Sequence, residues 1–321
     1  MEKYSRWRDA GTGIQPFLPP VPPRTESSLL STLSNAVHYI VGPIQGLVKL
    51  ALVLVLSLLY FLISKVIGTI MVGPLQRIWA RLWSTIFLRM ILFVSGFFFI
   101  KTETISLRRG SSRRNNNNNT NNTSSGGVQS GDIIVANWTS YIDVLYLAYA
   151  YGSPVFTQVY PQGQVQRIGF WKALRACTKM PPSLEDQEQE KDQLCSIREL
   201  QQQAKENGWG PIVVFPEGTT SNGRALLKFA NVFQSFQPSE RDGRFHIVSF
   251  RYCISSLAGK GASDDLVAGQ MAVCLGNMSR LRKTNLSMMD KRDFLEYYHS
   301  RDKKSARKQE QQTLRNKKKT K

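Results

Sequence analysis

The feature that most constrains the fold is a long apolar run near the N-terminus. Residues 50–75 (LALVLVLSLLYFLISKVIGTIMVGPL) carry a single charged side chain, Lys65, in 26 residues. Because a helix rises about 1.5 Å per residue, roughly 20 apolar residues cross the hydrocarbon core of a bilayer. A core helix of a soluble protein normally keeps a polar face, which the uncharged residues 50–64 lack. The run therefore predicts a membrane-embedded helix.

A second apolar run, residues 86–100 (IFLRMILFVSGFFFI), has 15 residues and carries Arg89 near its start. That length is short for an independent span. We expect residues 45–100 to form an N-terminal membrane-embedded helical hairpin, either one span plus a partner or a hairpin held in one leaflet. The basic residues that follow favour a cytosolic globular part, and they are Lys101, Arg108, Arg109, Arg113 and Arg114.

Composition divides the remainder into four parts. Residues 1–26 contain PFLPPVPPR near their end, and because proline fixes the backbone they predict an extended, Pro-rich arm. Residues 108–130 are rich in Asn, Ser and Gly, which cannot bury enough apolar area to offset the entropy of ordering, and they predict a low-complexity linker. Residues 131–280 alternate strand-like and helical segments, which predicts an α/β domain with a mixed sheet flanked by helices. Residues 281–321 form a basic tail.

Within the α/β domain we predict one helix over residues 140–151 and a second over 183–207, which begins at a capping box of Ser183 and Asp186. A basic helix is predicted from Lys291, fraying towards the C-terminus. Short runs of β-branched and aromatic residues predict five strands, at residues 132–136, 154–159, 211–215, 245–250 and 270–275.

The distribution of charge narrows the choice of partners. The chain has a formal net charge of +19, and its last 42 residues hold 15 Lys and Arg against 5 Asp and Glu. The tail has few interleaved aromatic residues and follows a membrane hairpin, so we predict no nucleic-acid partner. Its end, Lys318-Lys319-Thr320-Lys321, fits a dilysine retrieval signal and predicts the endoplasmic reticulum membrane. A hairpin held in one leaflet would also permit a lipid droplet.

The supply of metal-binding and redox side chains is small. The four Cys form no C-x-x-C pair and the three His lie far apart in sequence. This pattern excludes a disulfide scaffold and a Cys-based zinc site. We therefore predict no metal and no cofactor, in a reducing, cytosol-facing environment.

Two segments place polar groups at the carboxyl ends of predicted strands, where open α/β sheets hold their ligands. Residues 137–143 (NWTSYID) follow the first strand and put Asp143 in the first turn of a helix. Residues 215–221 (FPEGTTS) follow the third strand, where Glu217 leaves the sheet and Gly218 permits a tight turn. Taken singly, the first segment is also compatible with a helix-capping loop and the second with an ordinary turn.

Together the two segments resemble the glycerolipid acyltransferase family of the lysophosphatidic acid type, whose signatures are N-H-x-x-x-x-D and F-P-E-G-T-R-S. Asp143 and Glu217 lie 74 residues apart, similar to the spacing in the family. The resemblance implies acyl transfer from acyl-CoA to a lysophospholipid acceptor at a membrane bilayer. The most direct case converts lysophosphatidic acid to phosphatidic acid, in glycerolipid synthesis and lipid droplet formation, with acyl-CoA as co-substrate.

The resemblance also implies roles for individual residues. Asp143 and Glu217 are the catalytic candidates, and both segments must then meet in one pocket. The second segment can hold an anion on hydroxyls and backbone N–H groups, with added charge from two basic residues. The substrate-binding candidates are Trp138, Ser140, Gly218, Thr219, Thr220, Ser221, Arg224 and Lys228.

The sequence departs from the family at two positions. The family's His, which acts as general base, is replaced by Trp138, and its second-segment Arg is replaced by Thr220. Asp143, His246 or the acceptor's own phosphate are the candidates for the missing base. A family motif that ends in an acceptor-binding Arg would start near residue 169, where Lys172, Arg175 and Lys179 are substitutes by charge only. The alternative function is a catalytically impaired lipid-binding or tethering protein on the same scaffold.

Overall fold

The structure is a computed structural model, and it describes residues 4–19, 29–68, 74–102, 128–234, 244–251, 271, 275–276, 278–279 and 281–301. Most of the predicted linker, the end of the Pro-rich arm and the dilysine end of the tail lie outside the described residues.

The described residues form seven labelled helices and seven strands. The helices are α1 (Leu29–Tyr60), continued by a π-helical segment (Phe61–Ile67), α2 (Pro74–Val94), α3 (Tyr141–Tyr151), α4 (Phe170–Ala176), α5 (Leu184–Gln189), α6 (Ile197–Glu206) and α7 (residues 288–301). The strands are β1 (Ile133–Ala136), β2 (Val155–Val159), β3 (Val165–Ile168), β4 (Ile212–Val214), β5 (Ala225–Leu226), β6 (Phe245–Val248) and β7 (Arg282–Lys283).

Five strands form one mixed sheet in the order β3-β2-β4-β1-β6. Strand β4 is central and runs parallel to both β2 and β1, β1 runs parallel to the edge strand β6, and the other edge strand, β3, is antiparallel to β2. Because successive side chains of a strand point to opposite faces, Ile133 and Val135 enter one core while Ile134 and Ala136 enter the other. Helices cover both faces, so the predicted mixed sheet flanked by helices is confirmed.

Two segments of the domain fold differently from the prediction. Residues 183–207 form α5 and α6 instead of one helix, because Cys195 pairs with Val165 as an isolated bridge and Ser196 begins a new capping box with Glu199. The strand predicted over 270–275 is wrong, since the described residues there are helical. Met271 and Leu275, four residues apart, are both buried in the core cluster that α6 also enters. Strand β3 has no counterpart in the prediction.

Residues 4–19 of the N-terminal arm pack on α7 and contain turns, while the end of the Pro-rich segment lies outside the described residues. Residues Ser5–Trp7 form a 3₁₀ turn, and the buried Trp7 ring contacts Phe294, with the two ring centroids 5.4 Å apart. Asp9 accepts a hydrogen bond from the backbone N–H of Asn285 at 3.1 Å. Aromatic burial and a buried carboxylate acceptor hold the arm against the C-terminal helix.

One helix, Tyr39–Ser64, is long and apolar enough to cross a membrane. Most of its side chains are exposed, among them the apolar Leu47, Leu50, Leu54 and Leu58. Exposed apolar surface on this scale is typical of a helix that contacts lipid or a partner. Whether a bilayer surrounds the helix stays a prediction, as does the membrane-embedded hairpin.

Helix α2, which carries most of the second apolar run, packs on the α/β domain. Leu88 and Leu92 are completely buried in the core formed by α3 and one face of the sheet. The Trp79 indole N–H donates to the Ile63 carbonyl at 3.0 Å, which fixes α2 to the segment that follows α1. Of the two hairpin alternatives, this arrangement favours one long helix plus a packed partner.

The docking of α2 generates a prediction about stability. Leu92 is 0 % exposed and Leu82, on the same helix, is 51 % exposed. We expect Leu92→Ala to destabilise the folded protein by about 2–5 kcal/mol, because it leaves a cavity between α2 and the sheet. Leu82→Ala is the matched control and should change stability by less than about 0.5 kcal/mol. Thermal unfolding in detergent measures both, and equal shifts would show that α2 is not docked in this way.

Candidate active site

The two motif segments lie side by side because they follow adjacent parallel strands. β1 and β4 pair directly, so the residues after Ala136 and after Val214 leave the sheet at the same edge. The Trp138 N–H donates to Glu217 Oε1 at 3.1 Å, and the Ser221 N–H donates to the Trp138 carbonyl at 2.9 Å. The structure thus brings the segments around Asp143 and Glu217 together in one place.

Asp143 orders the first segment. One of its oxygens, Oδ2, accepts from the N–H groups of Thr139 at 2.6 Å and Ser140 at 2.9 Å. The Ser140 hydroxyl in turn accepts from the Ile142 N–H at 3.2 Å, which completes a capping box at the start of α3. Asp143 is completely buried. It therefore positions the loop, and its burial argues against a second role as an accessible base.

Glu217 connects the two segments to the strand that follows them. It is 1 % exposed, and its second oxygen, Oε2, accepts from the Leu227 N–H at 2.9 Å in β5's C-terminal continuation. Burial raises the pKa of this carboxyl to about 8, and the two backbone donors and Lys291 only partly oppose that rise. The buried Glu217 side chain therefore links residues 137–143 and 215–221 to the residue that follows β5.

Residues 218–221 form a tight turn that faces α7. Gly218 adopts φ 65°, and a Cβ at this position would collide with the Met288 side chain, so glycine meets both a conformational and a steric requirement. Thr219 and Ser221 are buried, and Thr220 is half-buried. The backbone N–H groups of Thr219 and Thr220 have no hydrogen-bond partner within the described part of the chain. Such a turn is suited to binding an anion.

Comparison with known proteins agrees with this geometry. A sequence model of the Acyltransferase family matches residues 114–237, which include both motif segments. A Schizosaccharomyces pombe protein provisionally named lysophosphatidic acid:oleoyl-CoA acyltransferase is 26% identical over 257 residues, which cover 79% of this chain and 75% of that protein. On both comparisons the chain is similar to the glycerolipid acyltransferase family. No solved structure matches it.

The position of the family's His is filled by a core side chain. The Trp138 ring stacks on Phe215, with centroids 4.6 Å apart and planes inclined by 16°. Its indole N–H is buried without a well-formed hydrogen bond in the described residues. Burial raises the pKa of the neighbouring Cys177 thiol to about 11, and the Trp138 N–H opposes only part of that rise. Trp138 therefore stabilises the loop by packing and cannot serve as a base.

His246, one of the candidates for the missing base, lies away from both motif segments. Its Nε2 lies 3.3 Å from Asp132 Oδ2. Asp132 precedes β1, which places the imidazole at the amino end of the parallel strands, whereas both motif segments lie at the carboxyl end. No cluster of three or more His, Cys, Asp or Glu side chains able to hold a metal ion occurs among the described residues.

The predicted basic residues do not converge on the turn. Arg224 and Lys228 are exposed, and within the described ranges neither side chain makes a hydrogen bond or ion pair with residues 215–221. Of the substitutes near residue 169, Lys172 donates to the Gln166 side chain at 3.0 Å, and Arg175 and Lys179 are exposed. The added charge expected from Arg224 and Lys228 is therefore not found at the turn.

Lys291, which the sequence analysis did not select, lies at the turn instead. From the first part of α7 its Nζ donates to the Thr220 carbonyl at 2.5 Å and to the Thr220 hydroxyl at 2.7 Å. Burial lowers the pKa of the Lys291 ammonium to about 8, and the influence of Glu217 and Cys177 opposes that change. A sequence signal existed, because Ser287 and Asp290 mark a helix start and a Lys in the first turn opposes the helix dipole.

An apolar cavity opens next to the first segment. It has a volume of about 440 Å³ and lies between α1, α2, α3 and α4. Tyr141, which lines it, directly follows the capping residue Ser140. Other lining residues include Val53, Leu88, Leu145 and Trp171. The cavity therefore connects the exposed helix α1 with the start of α3.

The N-terminal arm also holds the end of the second segment. The Asn222 side-chain amide donates to the carbonyls of Gln15 at 2.7 Å and Leu18 at 2.8 Å, and the Asn222 N–H donates to the Pro16 carbonyl at 2.9 Å. No local sequence pattern predicts this contact between residues more than 200 positions apart. Both ends of the chain thus contact the turn, the arm at Asn222 and α7 at Thr220.

The raised pKa of Glu217 predicts a pH dependence of stability. Its ordinary value is 4.5 and its folded value is about 8, so the folded state binds the proton more tightly than the unfolded state. The resulting stabilisation is fully present below the unfolded pKa and is lost as the pH rises through the folded pKa. Glu217→Gln cannot ionise. We expect the wild-type melting temperature, compared with that of Glu217→Gln, to fall between about pH 5 and about pH 8, and parallel curves would contradict the raised pKa.

Proposed function

We propose that the chain transfers a fatty acyl group from acyl-CoA to the free hydroxyl of a lysophospholipid, with lysophosphatidic acid as the acceptor and phosphatidic acid as the product. The observation that carries the proposal is the hydrogen bond between the Trp138 N–H and Glu217 Oε1, at 3.1 Å. It joins the two motif segments at the carboxyl edge of the sheet. The activity in the provisional name of the S. pombe relative supports the same substrates.

The apolar cavity supplies a site for the acyl chain. Its lining is mostly apolar and it borders α1, whose residues 39–64 are suited to a bilayer. An acyl chain in the cavity would place its thioester near Tyr141 and the adjoining loop. Burial of each methylene group contributes about 0.8 kcal/mol, so such a cavity can hold a long chain firmly.

The reaction needs the acceptor oxygen, the thioester carbonyl and a proton acceptor in one place. The acceptor hydroxyl attacks the carbonyl carbon, its proton leaves, and coenzyme A departs as the thiol. Backbone N–H groups at Thr219 and Thr220 are placed to hold an anionic group of the acceptor next to the thioester. General-base catalysis contributes about 10²–10⁴-fold, so a thioester held in position can react without a side-chain base. We assign the role of proton acceptor to the phosphate of the acceptor.

The proposed location is the endoplasmic reticulum membrane, with the lipid droplet surface as a second site. Residues 39–64 provide the membrane helix. The dilysine end of the tail provides the retrieval signal, and a basic tail gains about 1 kcal/mol per Lys or Arg near anionic lipid. Residues 302–321 lie outside the described part of the chain.

The burial of Trp138 favours one alternative, a catalytically impaired lipid-binding or tethering protein. Such a protein would keep the cavity and the membrane helix and would lose only the chemistry. A transfer assay distinguishes the two functions directly.

Purified full-length protein should release coenzyme A from oleoyl-CoA when lysophosphatidic acid is present. Asp143→Ala removes the acceptor for the Thr139 and Ser140 N–H groups and should lower this rate at least about 100-fold, because the reacting groups lose their alignment. Glu199→Ala is the matched control, since it breaks a similar capping box on the exposed face of α6. If the wild type releases no coenzyme A with any lysolipid but still binds lipid, the result would support the tethering alternative.

The cavity predicts an effect on chain length. Val53 lines the cavity, and the next residue of α1, Leu54, does not line it and is 59 % exposed. Val53→Trp should lower the ratio of oleoyl-CoA to octanoyl-CoA transfer by about 10-fold, because the added ring volume excludes the distal part of a long chain. Leu54→Trp should leave the ratio unchanged. A ratio that is the same in both variants would place the acyl chain elsewhere.

A further inference from the structure

The ammonium group of Lys291 is only partly used by the protein. Two of its three N–H donors bind the Thr220 carbonyl and the Thr220 hydroxyl. The third has no partner in the part of the chain that the structure describes. The side chain therefore presents one N–H of a cationic group beside the turn.

No carboxylate neutralises this ammonium at close range. Within the described residues no Asp or Glu oxygen lies within 4.0 Å of Lys291 Nζ. Glu217 influences it only at longer range, and the Glu217 oxygens are directed to the Trp138 and Leu227 N–H groups. Burial of a cation costs free energy unless a counter-charge approaches, so the arrangement is poised for an anion from outside the chain.

The other basic side chains near the turn are directed elsewhere. Arg292, the next residue on α7, donates to the Pro181 carbonyl at 2.9 Å and forms ion pairs with Asp186 and Glu296. Arg224 and Lys228 are exposed. Within the described ranges, Lys291 is therefore the cation that contacts residues 215–221.

The donors beside Lys291 point to the chemistry of the anion. The Thr219 and Thr220 N–H groups, without partners in the described structure, belong to the same turn as the Thr220 oxygens that Lys291 binds. Several N–H donors and one cation match the oxygens of a phosphomonoester. A phosphodiester headgroup carries less negative charge and, in lysophosphatidylcholine, an added cation that Lys291 would repel.

We propose that Lys291 binds the phosphomonoester of the acceptor and thereby selects lysophosphatidic acid over lysolipids that have a phosphodiester or no phosphate. The proposal rests on the acyl transfer proposed above. Lys291 lies on α7, 71 residues after Thr220 in the sequence, and its ammonium contacts Thr220 directly. Thr220 is the position at which the family signature has Arg.

Acceptor selectivity tests the proposal. In Lys291→Met we expect kcat/KM for lysophosphatidic acid to fall about 10- to 100-fold, the usual effect of removing a charged hydrogen-bond donor. The value for monoacylglycerol, which has no phosphate, should change less than about threefold. Lys291→Arg should keep most of the selectivity. Lys191→Met, on the exposed 3₁₀ turn after α5, is the control for a lost surface charge and should change neither value.

A compensating variant separates substrate binding from structural bracing. In Lys291→Met/Thr220→Arg the cation is supplied by the turn itself, so selectivity for lysophosphatidic acid should return although the contact with α7 is lost. An equal loss for all acceptors, together with a lower melting temperature and no recovery in the double variant, would show that Lys291 only braces the turn. Unchanged selectivity in Lys291→Met would also overturn the proposal.

A binding measurement keeps this test independent of catalysis. Lysophosphatidic acid in detergent micelles should raise the melting temperature of the wild type more than monoacylglycerol does, and Lys291→Met should abolish that difference. If the wild type transfers no acyl group, the proposed function fails. The difference in melting temperature between the two lipids still tests whether Lys291 binds the phosphate. Equal stabilisation by both lipids in the wild type would overturn the inference.

Discussion

The buried hydrogen bonds of the Glu217 carboxyl hold the candidate site together. One oxygen accepts from the Trp138 N–H and the other from the Leu227 N–H, so a single side chain fixes three segments that follow different strands. Loss of either acceptor would leave a buried N–H unpaired, which costs more than an exposed hydrogen bond. The placement of the Gly218–Ser221 turn, and of every group directed at it, depends on this brace.

The turn is enclosed by parts of the chain that are distant in sequence. The N-terminal arm contacts it at Asn222, and α7 contacts it through Met288 and Lys291. The first segment is backed by Trp138, which fills the place of the family's His with packed aromatic surface. A site of this kind relies on positioning and on fixed charges, because Trp138 has no basic nitrogen and the buried carboxyls of Asp143 and Glu217 are held by backbone N–H groups.

Much of the fold followed from local patterns. Short β-branched and aromatic runs predicted β1, β2, β4 and β6, and the capping box at Ser183 predicted a helix start that the structure confirms. These patterns involve only residues close together in sequence, so they can be recognised without the tertiary structure. The strand predicted at 270–275 was wrong because Met271 and Leu275 pack as a helical pair on a core that the sequence did not reveal. The acyltransferase resemblance was confirmed from two short motifs.

The sequence by itself determined the apolar helix, the mixed α/β domain and the two motif segments at the ends of adjacent strands, because these depend on composition, periodicity and short spacings. Only the tertiary structure decided which charges reach the site. It left Arg224 and Lys228 in solvent, held His246 beside Asp132 at the far end of the sheet, and brought Lys291 to Thr220. Contacts between residues 70 or more positions apart arise from the packing of whole elements, which no local pattern encodes.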